Sequence, residues 1–520
     1  MSEVGFRTEI RPSTLAMQDL LCLLPSMLSF PRPLDPAPRL AAARDRAAAH
    51  GHREHWEDSK RRLAMGALAA ALLATPVAAQ PAPASPYARA IAAGYKALTL
   101  CNGIFVAGRT ERAVEAEELA GIYPEYDAIV PTLPAKVDRE LVGVEVAFDP
   151  TLAPRTANWA RDRGCTLFPI GATVTASEVT ELDASGHAIV PPVETLKPNA
   201  QAWPVGDRGV APRPSTKLAA NVASAFDGAT YGAGRTTGVV IVREGQVVAE
   251  RYATGWGPFT ANRTWSVGKS ISGTLIGLAH LDPAKPAAVP EWRDPHGVDP
   301  RAAITVDQLL RMASGLHSGA AGNRTDAIYF GGTAVTEEAT AWPLEVKPGT
   351  RFRYANDDIL LAVRAMRATL GEERYRDFPT AALFAPLGMT HTQAGTDWRG
   401  NYILSSQVWS TARDLARLGQ FWLQDGVWQG KPLLAAGWVR YMTTPRSPQP
   451  ADGPGYGATM WLFGPEQGMP AGSYAAQGNR GQYVMVIPSA RLVIVRRGED
   501  PGAARFDIAR FSADVLAATR

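Results

Sequence analysis

Cysteine, histidine and charge imbalance are all scarce in this 520-residue sequence. Three cysteines are too few for a disulfide-stapled scaffold. The histidines from His187 onward form no H-x-H or H-x-x-x-H pair, so no zinc ligand set is visible and no metal or other cofactor is expected. A net charge of +3 from 53 basic and 50 acidic residues leaves no surplus of cations for phosphates, which argues against a nucleic-acid partner. Long apolar runs are also missing. The uncharged stretch Leu63 to Ala74 falls short of the roughly 20 residues a membrane span needs, and Pro76 breaks it, so no stable span is expected after processing. What is present is globular: 46% apolar residues against 20% charged exclude a disordered chain, and the length corresponds to about three domains' worth of sequence.

The N-terminal region reads as targeting. Lys60-Arg61-Arg62, the Ala/Leu run and Thr75-Pro76-Val77-Ala78-Ala79 have the form of a signal peptide cleaved after Ala79, with a buried Ala-rich helix or an anchor as the other readings. About 60 residues precede it, so the true start is expected downstream of Met1, and the protein is expected to be exported, periplasmic or secreted. Removing residues 1–79 discards Cys22 and leaves Cys101 and Cys165, an even pair expected to form a disulfide, the alternative being two buried thiols. A loop of that length would stabilise by roughly 4 kcal/mol in the chain-entropy picture.

Three regions follow from composition and periodicity: residues 1–79, an extension with a Pro-rich connector over 80–215, and a main domain over 216–520. Leu141 to Phe148 alternates as a half-buried strand does. Gly238–Val242 and Gln246–Tyr252 flank a turn at Gly245, and Tyr483–Ile487 and Leu492–Val495 flank Pro488 to Arg491, so both ends of the main domain supply hairpins. Ala503 to Thr519 has helical spacing, residues 266–440 look mostly helical, and Thr411 to Asp414 resembles a capping box. The expected class is α+β.

The chemistry concentrates in Trp265 to Leu278. Ser266 and Lys269 stand at i and i+3, on one face of a helix whose only formal charge is Lys269. A desolvated lysine loses basicity and can take the serine proton, which packages a nucleophile and its base in four residues. The other reading is a capping serine and a lysine that snorkels to water. Tyr354-Ala355-Asn356 is the sequence's single Y-x-N among 14 tyrosines. A tyrosine near the pair can pass protons to a leaving group, and the asparagine can orient the lysine or the substrate carbonyl. No serine stands in G-x-S-x-G, so a nucleophile elbow is absent. His317 reads either as lining a cleft or as a solvated loop residue.

Ser266-Val267-Gly268-Lys269, Tyr354-Ala355-Asn356 and Ile304-Thr305-Val306-Asp307-Gln308-Leu309-Leu310-Arg311-Met312-Ala313-Ser314-Gly315-Leu316 together resemble the serine β-lactamase-like hydrolases over about Lys217 to Ala517. That family includes class C β-lactamases, D-alanyl-D-alanine peptidases, related esterases and 6-aminohexanoate-dimer hydrolases. The resemblance implies an antiparallel sheet flanked by helices plus an all-helical lobe. It also implies Ser266 as acylated nucleophile, and Lys269 and Tyr354 as base and proton shuttle. The family's third motif, Lys-Thr-Gly or a His-containing variant, is here Ala476-Gln477-Gly478-Asn479-Arg480-Gly481, with no cation in first position. Asn356, Gly478 and Asn479 are then the substrate or oxyanion positions, and Arg480 is either a displaced cation or a surface turn residue. The pattern looks closest to the 6-aminohexanoate-dimer hydrolase and esterase branch, acting on small amides or esters. β-Lactamase or D-Ala-D-Ala carboxypeptidase activity is the alternative, and a penicillin-recognising-fold binding protein without turnover is a second.

Overall fold

The computed structural model describes residues 84–174, 197–318 and 325–519, all within one compact unit. The signal-peptide reading, the start of the Pro-rich connector and residues 319–324 lie outside the described residues. Among those described, no helix is long and apolar enough to cross a membrane.

The chain opens with α1 (Pro86–Cys101), begun by Ser85, whose hydroxyl accepts from the Ala88 amide, and by Pro86 at the first helical position. Its Ala/Leu-rich sequence is buried from Ala90 onward because the helix lies across a four-stranded antiparallel sheet. That sheet has the order β1 (Ala135–Asp138), β2 (Gly143–Val146), β3 (Arg155–Ala160), β4 (Gly164–Leu167). The predicted strand at 141–148 is shorter than its alternating pattern, since Val142 takes φ +47 and the extended run starts only at Gly143. Between α1 and this sheet runs α2 (Glu111–Glu118). Cys101 and Cys165 are joined as a disulfide between the end of α1 and β4.

The main domain contributes α3 (Thr216–Ser224), β5 (Thr236–Arg243), β6 (Gln246–Tyr252), β7 (Asn262–Arg263), α4 (Val267–Leu278), α5 (Val306–Leu310) and α6 (Asn356–Leu370). It continues with β8 (Gln393–Ala394), β9 (Val408–Ser410), α7 (Ala412–Leu423), β10 (Gly455–Tyr456), β11 (Trp461–Phe463), β12 (Ser473–Gly478), β13 (Gln482–Ile487), β14 (Leu492–Gly498) and α8 (Ile508–Ala518). A seven-stranded antiparallel sheet has the order β10-β11-β12-β13-β14-β5-β6, so the first and last strands of the domain, β5 and β14, pair directly, with β6 at the edge beyond β5. Strand alternation sorts their side chains. Val239, Ile241, Leu492 and Ile494 pack with Leu218, Phe511 and Val515 of α3 and α8. Val240, Val242, Val493 and Val495 join the core that holds Leu415 and Leu418 of α7 and Ile271 and Leu275 of α4.

Both predicted hairpins form. The first turns through Glu244 and Gly245, each with positive φ (+51 and +82), the geometry of a two-residue hairpin that suits glycine in the second place. Two expectations are corrected. The C-terminal helix begins at Ile508 rather than Ala503, because the Asp507 side chain accepts from the Arg510 amide and starts it there. Thr411 does cap α7, accepting from the Asp414 amide. The Asp414 carboxylate, however, holds the His391 amide, the Thr392 hydroxyl and Arg417 rather than closing a capping box.

Candidate active site

The strand β7 delivers the chain to the site through Thr264 and Trp265. The Thr264 amide donates to the Val408 carbonyl at 2.7 Å. Trp265 then takes φ +51, a conformation that costs a bulky residue on the order of 1–3 kcal/mol and persists only where packing over-determines it. Its ring lies 3.9 Å from the Arg263 guanidinium carbon, which supplies that packing. The reversal sets Ser266 at the N-terminus of α4. Its side chain makes no capping bond, so the reading of Ser266 as a plain cap does not describe the structure.

Lys269 does not snorkel; it is buried within α4. Its Nζ has three oxygen neighbours: Ser266 Oγ at 3.0 Å, Asn356 Oδ1 at 2.5 Å and the Ser405 carbonyl at 3.0 Å. The amide and carbonyl oxygens can only accept, so they engage two N–H groups of a neutral amine and leave its lone pair for the Ser266 hydroxyl proton. Burial lowers the Lys269 pKa to about 7; the nearby Asp357 carboxylate resists that shift and the Arg263 charge adds to it. Tyr354 lies beside them, its ring centroid 4.9 Å from Lys269 Nζ and its side chain hydrogen-bonded to Ser266. Burial holds the Tyr354 hydroxyl well above its ordinary pKa, with the Ser266 bond pulling the other way, so it is protonated at neutral pH.

Asn356 opens α6, and Asp357 and Asp358 occupy its first turn, where the helix dipole favours negative charge. Asp358 is buried, which raises its pKa to about 7, and it accepts from the Ser314 hydroxyl at 2.6 Å. That bond ties the loop after α5 to the segment carrying Tyr354 and Asn356. The α5 helix itself is set by a capping box between Thr305 and Gln308.

On the far side of Ser266, β12 passes so close that a side chain at Gly478 could not be accommodated. A Cβ there would stand 2.3 Å from the Thr264 carbonyl oxygen and 3.1 Å from the Ser266 nitrogen. The turn Asn479-Arg480-Gly481 follows. The amides of Ser266 and Asn479 have no backbone acceptor among the described residues.

Ser266, Tyr354, Asn356, Gly478 and Asn479 thus meet on one open cleft of about 410 Å³, with Lys269 beneath its floor. Arg480 is not the surface turn residue that was one reading of the sequence. It is buried and paired with Glu499, and it donates to the Glu117 carbonyl at 2.9 Å, so it presents no free cation to a substrate. Glu118, close to Glu499, is pushed up to about 8 by burial and by that carboxylate, against the pull of Arg109 and Arg480. His317 is not on the cleft; its Nδ1 lies 2.5 Å from Glu345 and its ring 4.9 Å from Trp342. Cys101 and Cys165 do not line the cleft either.

Sequence reasoning missed Tyr123, Trp461, Arg505 and the Ser405 carbonyl. Tyr123 and Trp461 add aromatic walls, and Arg505 sits exposed at the rim, donating to the Gly502 and Ala504 carbonyls. No Asp or Glu lines the cleft among the described residues. A main-chain acceptor such as Ser405 carries no sequence signal, and a tyrosine some 140 positions from the nucleophile is brought in only by the packing of the extension.

The antiparallel sheet with helices on both faces and a site at the start of a buried helix defines the class, and a profile of the Beta-lactamase family matches residues 221–517. The chain belongs to that family and is a hydrolase of it. It is 28% identical over 296 residues to a 6-aminohexanoate-dimer hydrolase of Paenarthrobacter ureafaciens, an alignment covering 51% of this chain and 73% of that protein. Among solved structures it resembles a β-lactamase/D-alanine carboxypeptidase from Pseudomonas syringae, with TM-score 0.44, 17% identity, and 58% and 98% of the two chains covered. It also resembles EstCE1, a hydrolase with promiscuous acyltransferase activity, with TM-score 0.46, 16% identity, and 58% and 98% covered.

Proposed function

We propose that the protein is a serine hydrolase that cleaves small amides or esters through an acyl-enzyme on Ser266. The observation that carries this reading is the Lys269 amine, buried at the Ser266 hydroxyl with its other two neighbours both acceptors. Ser266 Oγ attacks the substrate carbonyl carbon as its proton passes to Lys269 Nζ. The carbonyl oxygen becomes an oxyanion facing the amides of Ser266 and Asn479, near the positive end of α4. Tyr354, bonded to Ser266, relays that proton to the departing amine or alkoxide, the C–N or C–O bond breaks, and the acyl group remains on Ser266. Water then attacks the ester carbonyl, giving a proton to the same base; the Ser266 Oγ–acyl bond breaks, the base returns that proton to Oγ, and the carboxylic acid leaves.

The cleft favours substrates that are uncharged or bear a carboxylate. It has no acidic lining residue among those described, and Arg505 forms no ion pair with a described residue. Recognition in the manner of a β-lactamase or carboxypeptidase is supported less well, since Ala476 stands where the third motif's cation would be and Arg480 is committed to Glu499. The Cys101–Cys165 bridge suits an oxidising compartment, in keeping with export. A purified-enzyme panel of short nitrophenyl esters, aminohexanoate dimer, nitrocefin and D-Ala-D-Ala peptides tests the reading. Turnover of the esters or the amide dimer, abolished in Ser266→Ala, supports it; equal turnover in that variant would end it. Stoichiometric acylation without turnover would instead indicate a receptor.

A further inference from the structure

The segment that reaches the cleft from outside the family match is residues 117–123, the end of α2 and the residues that follow it. Three contacts fix it there. The Glu117 carbonyl accepts from Arg480, the residue after Asn479 in the turn beside Ser266. The Gly121 carbonyl accepts from the Gly502 amide at 3.1 Å, two residues before the cleft-lining Ala504. Tyr123 itself lines the cleft, with its ring 6.4 Å from that of Trp265, the neighbour of Ser266. The segment is held from behind as well: Arg109 pairs with Glu117 and Glu118, Arg235 pairs with Glu117, and the Tyr95 hydroxyl donates to the Glu118 carbonyl. The Tyr123 ring is wedged at 5.1 Å from Tyr95 and 5.4 Å from Phe330. A side chain so immobilised presents a fixed apolar face to whatever occupies the cleft, at no ordering cost when a substrate binds.

We propose that the N-terminal extension is a working wall of the substrate cleft, and that Tyr123 determines which apolar substrate groups fit beside Ser266. The proposal rests on the acyl-transfer reading of that serine. An aromatic wall formed by Tyr123 and Trp265 on one side and Trp461 on another suits an alkyl or aryl group and limits its size. In one methylene's worth of pocket space, discrimination of about 10-fold or more is available.

The test is kcat/KM for p-nitrophenyl acetate, butyrate, hexanoate and octanoate, with matched acetate esters of larger leaving groups, in the parent, Tyr123→Ala and Tyr123→Trp. Removing the ring should raise the large-to-small ratio in one of the two series by about 10-fold, and the larger ring should lower it. The burst of one nitrophenolate per enzyme should survive in both variants. Should Tyr123→Ala fail to fold, Tyr123→Leu with Tyr123→Trp makes the same comparison. Ratios within two-fold of the parent's in both series, or shifted the opposite way, would overturn the proposal. Undiminished turnover in Ser266→Ala would instead remove the acyl-transfer reading beneath it, so the two failures are distinct.

Discussion

Lys269 Nζ stands 3.0 Å from Ser266 Oγ and shares no carboxylate partner with it; its other neighbours are the amide oxygen of Asn356 and the main-chain oxygen of Ser405. A buried lysine without a direct counter-ion loses its proton readily, whereas a lysine salt-bridged to Asp or Glu would keep it. At a pKa lowered to about 7, a substantial fraction of the Lys269 amine is neutral at neutral pH.

That relation fixes a pH profile. With Lys269 lowered to about 7 by burial, the amine is neutral and competent above that value and protonated below it. The acylation rate, read as kcat/KM for p-nitrophenyl acetate from pH 5 to 9, should rise along one ionisation near pH 7 and then level. A profile that falls over that range would contradict the role of Lys269.

Asn356→Asp should displace this profile. A carboxylate at the position of the amide favours the charged lysine, so the apparent pKa should move up by at least one unit and kcat/KM at pH 7 should drop about five-fold or more. The same profile measured on the variant checks it, and activity should return in part at pH 9.

Gly478→Ala tests the close approach of β12. Its methyl would press on the Thr264 carbonyl at 2.3 Å, so strand and nucleophile turn must separate. The displacement should cost about 10²-fold in kcat, a figure typical of an oxyanion donor moved out of place, while the melting temperature falls far less than for a core truncation. Unchanged kcat would show that the strand does not set the site.

Much of this arrangement was legible in the sequence, and the rest was not, for identifiable reasons. Strands β5, β6, β13 and β14 announced themselves because alternating Val and Ile must serve two faces of a buried sheet. Ser266 with Lys269 was legible because one charge in an apolar helix demands a task, and Asn356 because it follows Tyr354 at a short spacing. Tyr123 at the cleft and the burial of Arg480 were not, since Tyr123 meets Trp265 and Phe330, and Arg480 meets the Glu117 carbonyl, across long stretches of sequence. Arg480 is instructive: a turn residue flanked by Asn and Gly reads as exposed, yet the extension covers it.

The disulfide should matter to stability rather than to chemistry, since neither cysteine lines the cleft. The double variant Cys101→Ser/Cys165→Ser should lose about 2–5 kcal/mol in urea unfolding. At temperatures where it stays folded, it should keep its burst amplitude.

The central claim is that an acyl group passes through Ser266. Intact-mass and peptide-mapping spectrometry of enzyme quenched during turnover of p-nitrophenyl butyrate tests this most directly. A butyryl adduct on the peptide carrying Ser266, formed with a matching burst and missing from Ser266→Ala, is the predicted result. Turnover with no adduct at Ser266, or with an adduct at another residue, would contradict the account.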